Sequence, residues 1–229
     1  MTQALEGHTV HRYDGELNQL HLLLLEMGGL VEAQLELVLK ALYTNESVLV
    51  ARVREREKHI DQLELELDDK IATVIAKRTP VARDLRTLLA FSKIVSALEH
   101  IGDEAVRVTY VIDNLESTPE KSEQLLQGAF SMGRIVSALL HRVLVALDQL
   151  DPQAAMEVIR DCKALDDEFE ANLRRTSTYV LQDARNVGLA TYIVLVIRAL
   201  ERVGDHAKNL AEYLFFLVDG SDIRHQSLR

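Results

Sequence analysis

The stretch Ala97-Leu98-Glu99-His100-Ile101-Gly102-Asp103-Glu104-Ala105 recurs as Ala199-Leu200-Glu201-Arg202-Val203-Gly204-Asp205-His206-Ala207, with six of nine residues identical at an offset of 102. A match of that density within one chain signals an internal repeat. Further upstream, Met27-Gly28-Gly29-Leu30-Val31-Glu32-Ala33-Gln34-Leu35 recurs as Met132-Gly133-Arg134-Ile135-Val136-Ser137-Ala138-Leu139-Leu140 at an offset of 105, and Lys58 and Asp61 recur as Lys163 and Asp166 at that same offset. The chain is therefore read as a tandem duplication, with three residues gained or lost between the second and third helices of each half.

Apolar residues recur at helical spacing nearly throughout, for example Leu20, Leu23, Leu24, Met27, Leu30, Val31, Leu35, Val38 and Leu42, the stripe of a helix that faces a core. Breaks fall where helix-end chemistry is present. Asn45-Glu46-Ser47, Thr79-Pro80, Ser117-Thr118-Pro119-Glu120 and Asp151-Pro152 precede the second to fifth helices, and Asp219-Gly220-Ser221 ends the sixth. The pattern predicts helices over about 10–43, 47–77, 82–116, 119–149, 152–181 and 185–218. Three long helices per half with short connections predict an all-α protein of two tandem antiparallel three-helix bundles. The limits so placed are a flexible 1–9, a first repeat over 10–116, a second over 117–219 and a flexible 220–229. Helices of about 30 residues run about 45 Å, so an elongated molecule is expected.

Composition agrees. Among 229 residues there are 10 Gly and 3 Pro, too few for a β protein that turns every 8–12 residues or so. The single cysteine, Cys162, cannot form an intramolecular disulfide, and the start Met1-Thr2-Gln3-Ala4-Leu5-Glu6 lacks the basic and apolar regions of a signal peptide. The cytoplasm is the compartment expected. The longest uncharged stretch, Asn186 to Ile197, falls short of the roughly 20 residues of a membrane span, so no direct membrane insertion is expected. A formal charge of −10 with basic and acidic residues interspersed argues against nucleic acid as a partner and towards cations as ligands.

Carboxylates supply the candidate chemistry. Glu99 and Asp103 are four apart and share a helix face, and the pair recurs as Glu201 and Asp205 inside the best-matched stretch. Glu57 and Asp61 repeat the spacing on the second helix. Like charges so placed destabilise a helix by about 0.2–0.5 kcal/mol, and burial beside Leu98 and Ile101 would add to this; a cation would offset it. With helices two and three side by side, Glu57, Asp61, Glu99 and Asp103 form one group of oxygen donors and Asp166, Glu201 and Asp205 a second, with Cys162 in the place of Glu57. Oxygen donors alone favour a hard or borderline cation, Mg²⁺, Mn²⁺ or iron, over structural zinc. The competing explanation is a solvated acidic face or salt bridges to Arg56, Lys58, Arg198 or Arg202. Gly102 and Gly204, in mid-helix, are explained by close approach of a neighbouring helix.

Several chemistries have no basis in the sequence. No Gly is followed by Lys and no Gly-x-Gly occurs, which removes the Walker A loop and the dinucleotide fingerprint. No Glu-x-x-His occurs, which removes the ferritin-like di-iron signature. His206 follows Asp205 directly, and about 100° of helix rotation turns it off the carboxylate face. Cys162 reads as a packed helix residue. No nucleophile and base pair can be assembled, so no enzyme and no catalytic residue is expected. A metal-handling carboxylate bundle and a purely structural helical scaffold are two readings these residues leave open.

The duplicated three-helix halves, Met27-Gly28-Gly29-Leu30-Val31-Glu32, the segment from Pro80 through Asp84-Leu85-Arg86, and the two copies of Leu-Glu-x-(Ile/Val)-Gly-Asp-x-Ala resemble the PhoU family from about Tyr13 to Asp219. The resemblance implies a cytoplasmic, non-enzymatic negative regulator of the phosphate-starvation response. Such a protein restrains phosphate uptake and connects the ATPase subunit of a high-affinity ABC phosphate transporter to a phosphate-sensing histidine kinase. It further implies a homodimer and metal sites that map onto Glu57 with Asp61, Glu99 with Asp103, and Glu201 with Asp205. Cys162 with Asp166 departs from the fourth motif.

Overall fold

The computed structural model describes residues 11–44, 46–115 and 123–223. Six helices follow one another: α1 (His11–Thr44), α2 (Ser47–Arg78), α3 (Arg83–Leu115), α4 (Glu123–Gln149), α5 (Pro152–Gln182) and α6 (Val187–Asp219), with a 3-10 turn at Ala184–Asn186 and no strand among the described residues. The expected start of α4 at 119 with its cap at 117–120, the expected flexible segment 1–9, and 224–229 of the expected tail lie outside the described residues.

Local chemistry explains the start of α5 and the end of α6. Asp151 accepts hydrogen bonds from the amides of Gln153 (2.8 Å) and Ala154 (3.2 Å), with Pro152 at the first helical position, so two otherwise unpaired N–H groups are satisfied. Gly220, at φ 89°, ends α6 through its N–H to the Phe216 carbonyl, a conformation open to glycine at little cost. α2 starts where expected, within the Asn45-Glu46-Ser47 stretch. Ser47 is the first helical residue, and Glu46 occupies the cap position without a side-chain hydrogen bond.

α1, α2 and α3 pack on one another, as do α4, α5 and α6, giving the two three-helix bundles. The bundles meet through α3 against α6 and α1 against α4, and the buried apolar residues of both form one continuous core. This junction explains the repeated sequence. A Cβ on Gly28 would meet Leu144 at 2.6 Å, and one on Gly133 would meet Leu39 at 2.6 Å; Leu39 and Leu144 are themselves 105 apart, so each repeat inserts the same leucine into the same glycine of the other. At the α3–α6 crossing, Arg202 reaches the buried Glu104 (3.1 Å) while His100 packs on His206 with ring centroids 4.9 Å apart. The fourth and eighth residues of each nine-residue motif thus contact the eighth and fourth of the other, the signature of a two-fold relation between halves.

α4 corrects one reading. Over Leu126–Gln149 it is long and apolar enough to cross a membrane by length and composition, which the search for uncharged stretches missed because Arg134, His141 and Arg142 interrupt it. Here Met132, Val136, Leu140, Val143 and Ala146 of its apolar side lie within the protein core.

Candidate metal centre

The α2–α3 seam of the first repeat is built around a buried carboxylate. Glu57 is 9% exposed, and its Oε2 accepts a hydrogen bond from the Gln34 side chain of α1, which also donates to the Gly102 carbonyl at 3.3 Å. Gly102 is what admits it: a Cβ there would meet the two Glu57 oxygens at 2.9 and 3.2 Å. Close approach, the reason anticipated for this glycine, is thus approach by a carboxylate. Glu57 Oε1 and Gln34 Oε1 are buried with no hydrogen-bond partner among the described residues, and an unsatisfied buried acceptor costs about 1–3 kcal/mol.

Around Glu57 the other acids gather. Burial pushes its carboxyl up to about 7, against the Gln34 hydrogen bond and reinforced by Asp61, Asp103 and Glu99. Glu99 is raised by burial, then by Asp103, Glu64 and Asp61, with His100 opposing. Glu64 is raised by burial and then by Asp68, Asp61 and Asp103. The structure therefore joins Glu57, Asp61, Glu99 and Asp103 along one electrostatic seam, as helices two and three side by side require. It adds Glu64, which sequence reasoning missed although Glu57, Asp61 and Glu64 fall at i, i+4 and i+7 on one helix face. His100 Nε2 lies 3.6 Å from Glu99, and Arg107 lies 3.8 Å from the half-exposed Asp103.

The α5–α6 seam of the second repeat holds Asp166, Glu201 and Asp205 with Cys162. Glu201 is raised by burial and then by Asp205, while Arg198 bonds it at 2.9 Å; its Oε2 is buried without a hydrogen-bond partner among the described residues. Asp205 is raised by its surroundings and then by Asp166, opposed by Lys208, Arg198 and Arg202. Cys162 is buried and its thiol is pushed up to about 12, chiefly by that burial, so it is a neutral packing residue. Gly204 here accommodates the end of Leu165 instead of a carboxylate. His206 turns away from the carboxylates toward His100, and burial, then His100, Arg202 and Arg107, bring it down to about 4.

The donor chemistry fits a hard cation. The acids are oxygen donors, and Glu57 and Glu201 each carry a buried oxygen without a hydrogen-bond partner among the described residues. Among the described residues no three His, Cys, Asp or Glu side chains converge on one point as an ion's ligand shell. A cation bound along the seam would draw on Glu57, Asp61, Glu99 and Asp103.

Comparison with known proteins places this architecture. The PhoU domain family model matches twice, over residues 24–112 and 130–214, one match in each bundle. The Escherichia coli K12 phosphate-specific transport system accessory protein PhoU is 34% identical over 221 residues, 96% of this chain and 91% of that protein. The PhoU homolog of Pseudomonas aeruginosa is 35% identical over 98% of this chain and 93% of its own length. A crystal structure of PhoU from Pseudomonas aeruginosa superposes with TM-score 0.88 at 35% identity, covering 91% of this chain and all of that one. The phosphate transport system regulatory protein PhoU of Streptococcus pneumoniae shares the fold, with TM-score 0.82 at 24% identity over 91% of this chain and 98% of that one. Two family matches, one per repeat, and a third of residues shared with relatives end to end lead to one conclusion: the chain belongs to the PhoU family.

Proposed function

We propose that this chain is a non-enzymatic accessory regulator of a phosphate-specific transport system that keeps the phosphate-starvation response off when phosphate is plentiful. The observation that carries this reading is the end-to-end similarity to relatives named as accessory proteins of that system, 34% over 96% of the chain. On this reading the protein acts in the cytoplasm, as a homodimer, between the transporter's ATPase subunit and a phosphate-sensing histidine kinase. The ATP chemistry and phosphoryl transfer belong to those partners. The chain itself offers long helices whose relative position can be set at the carboxylate seams.

The seams would hold a divalent or trivalent ion, Mg²⁺, Mn²⁺ or iron, whose contribution when bound is positive charge shared among oxygens. Glu57, fixed by Gln34 and admitted by Gly102, and Glu99 with Asp103 on the facing helix are the groups whose repulsion such charge relieves. Relief of repulsion across α2–α3 favours one spacing of these helices, and any partner that reads this face reads that spacing. Deleting the gene in the organism that carries it and measuring phosphate-regulated expression in high phosphate tests the regulatory assignment. Derepression is expected; unchanged repression would overturn it.

A further inference from the structure

On the outer side of the second repeat, α4 and α5 part to form a groove of about 870 Å³. Arg134 and Ser131 of α4 face Arg174, Arg175, Thr178 and Tyr179 of α5 across it. In a chain of net charge −10, three guanidiniums on one groove are a local reversal. Arg174 is held by Glu170 at 3.2 Å and Arg175 by Glu168 at 3.2 Å, whereas Arg134 makes no ion pair among the described residues.

The first repeat is the internal control. Shifting by 105 residues replaces Gly128 and Asn172 at the groove floor with Leu23 and Leu67, and Leu67 is fully buried against the core. Asn172 is only 4% exposed, and its amide donates to the Gly128 and Glu168 carbonyls at 3.3 and 2.9 Å while its oxygen accepts from Arg175 at 3.2 Å. A Cβ on Gly128 would collide with that oxygen. The same shift turns Arg134 into Gly29, Arg174 into Asp69 and Ser131 into Glu26. Arg175 corresponds to Lys70, so one rim cation is common to both repeats. Two apolar closures have become a polar floor, and a rim of mixed charge with Glu26 and Asp69 has gained Arg134 and Arg174. Packing needs neither change, because the first repeat folds to the same three-helix bundle without them.

We propose that this groove binds a phosphate-bearing small molecule of nucleotide size. Guanidiniums present paired donors that match phosphate oxygens. They approach from two helices and so can engage separate phosphates, the Ser131 hydroxyl adds a donor, and Tyr179 offers a ring face for a base. The volume lies within the range of small-molecule sites and exceeds what one inorganic phosphate fills. This site lies between α4 and α5, whereas the acidic seam of the same repeat lies between α5 and α6, and it adds a ligand that the regulatory reading does not require.

The test is calorimetric titration of the intact chain in chelator with ATP, inorganic pyrophosphate and inorganic phosphate as separate probes, on wild type, on Arg134→Gln with Arg174→Asp, and on Glu57→Gln. One site per chain is expected, weakened about tenfold or more in the double variant, unchanged in Glu57→Gln, and weakened by added salt. ATP binding more tightly than pyrophosphate assigns part of the recognition to the nucleoside; equal affinities assign it to the phosphate chain alone. Binding of none of the three probes at millimolar concentration overturns the proposal, as does a double variant of normal melting that binds like wild type. Both substituted arginines are exposed; should the double variant nevertheless unfold, a wild-type affinity indifferent to salt overturns it. Loss of binding in Glu57→Gln instead would place the ligand at the acidic seam and equally overturn the groove.

Discussion

The two acidic seams occupy matching places in matching bundles and yet solve different electrostatic problems. In the first, Glu57, Glu64 and Glu99 are raised by burial and then by the acids around them, Asp61 and Asp103 among these. In the second, the counterparts of Glu57 and Glu64 are Cys162 and Phe169, and three acids remain. The second seam also carries its own cations. Arg198, bonded to Glu201 at 2.9 Å, stands where the first repeat has Ser96, and Lys208, which opposes the rise of Asp205, stands where it has Val106. Behind the seam, the buried Gln34 of the first repeat becomes Leu139 in the second. The comparison teaches that a duplicated fold can keep its backbone while one copy sets Arg198, Arg202 and Lys208 against three acids and the other sets Arg107 against five, leaving more of the neutralising charge to be supplied from outside.

The largest effect that would sharpen this contrast is on metal-dependent melting. Added Mn²⁺ or Mg²⁺ at about a hundred times its dissociation constant is expected to stabilise wild type by about 2.7 kcal/mol, seen as a rise of several degrees in Tm. Glu57→Gln with Glu99→Gln should abolish the rise, and Glu201→Gln should leave most of it. A rise lost equally in both variants would erase the difference between seams.

Comparable in size is the effect of pH. In metal-free protein Glu57 sits at about 7 against an ordinary 4.5, so the folded chain holds its proton more tightly than the unfolded chain does. The stability this gives is complete below about pH 4.5 and is lost as pH rises through about 7. With the raised Glu57 contributing on the order of 3 kcal/mol across that window, Glu57→Gln should flatten the dependence and melt higher at pH 8. Thermal melts from pH 4 to pH 8 in chelator check it.

The glycines come third. Gly102→Ala should stay within about 1 kcal/mol of wild type, because helix propensity favours Ala by a similar amount and the atoms its Cβ meets are the Glu57 carboxylate oxygens, whereas Gly204→Ala should cost about 1–3 kcal/mol because its Cβ meets the buried Leu165. Gly102→Ala alone, by displacing the Glu57 carboxylate, should weaken the metal response; titration of Tm against Mn²⁺ separates the two. Smallest is the transplanted cation. Ser96→Arg, which copies the Arg198 to Glu201 spacing onto Glu99, should stabilise metal-free protein by about 0.5 kcal/mol and reduce the metal-induced rise, whereas Arg198→Ser should do neither.

Much of this was legible in the residues. The nine-residue repeat and its offsets gave the duplication, the helical spacing gave six helices, and Asp151-Pro152 and Asp219-Gly220 gave two of their ends, because helix periodicity and end chemistry are local properties of the chain. The seam acids were legible because i and i+4 share a face. Gln34 was not, since its partner Glu57 is 23 residues away and an amide on an apolar stripe gives no sign of which helix it will meet. Asn45-Glu46-Ser47 marked the start of α2, but which of the three takes the cap position, Glu46, depends on where the chain turns.

The sequence by itself determined the duplication, the six helices, and the acids that share helix faces, all consequences of spacing along one chain. The tertiary structure alone decided that the bundles share one core, that Gly28 receives Leu144 while Gly133 receives Leu39, that Glu57 is buried with an unpartnered oxygen, and that Gly128 and Asn172 open a basic groove. These depend on which helices approach and how closely, and close packing makes that a property of the whole core.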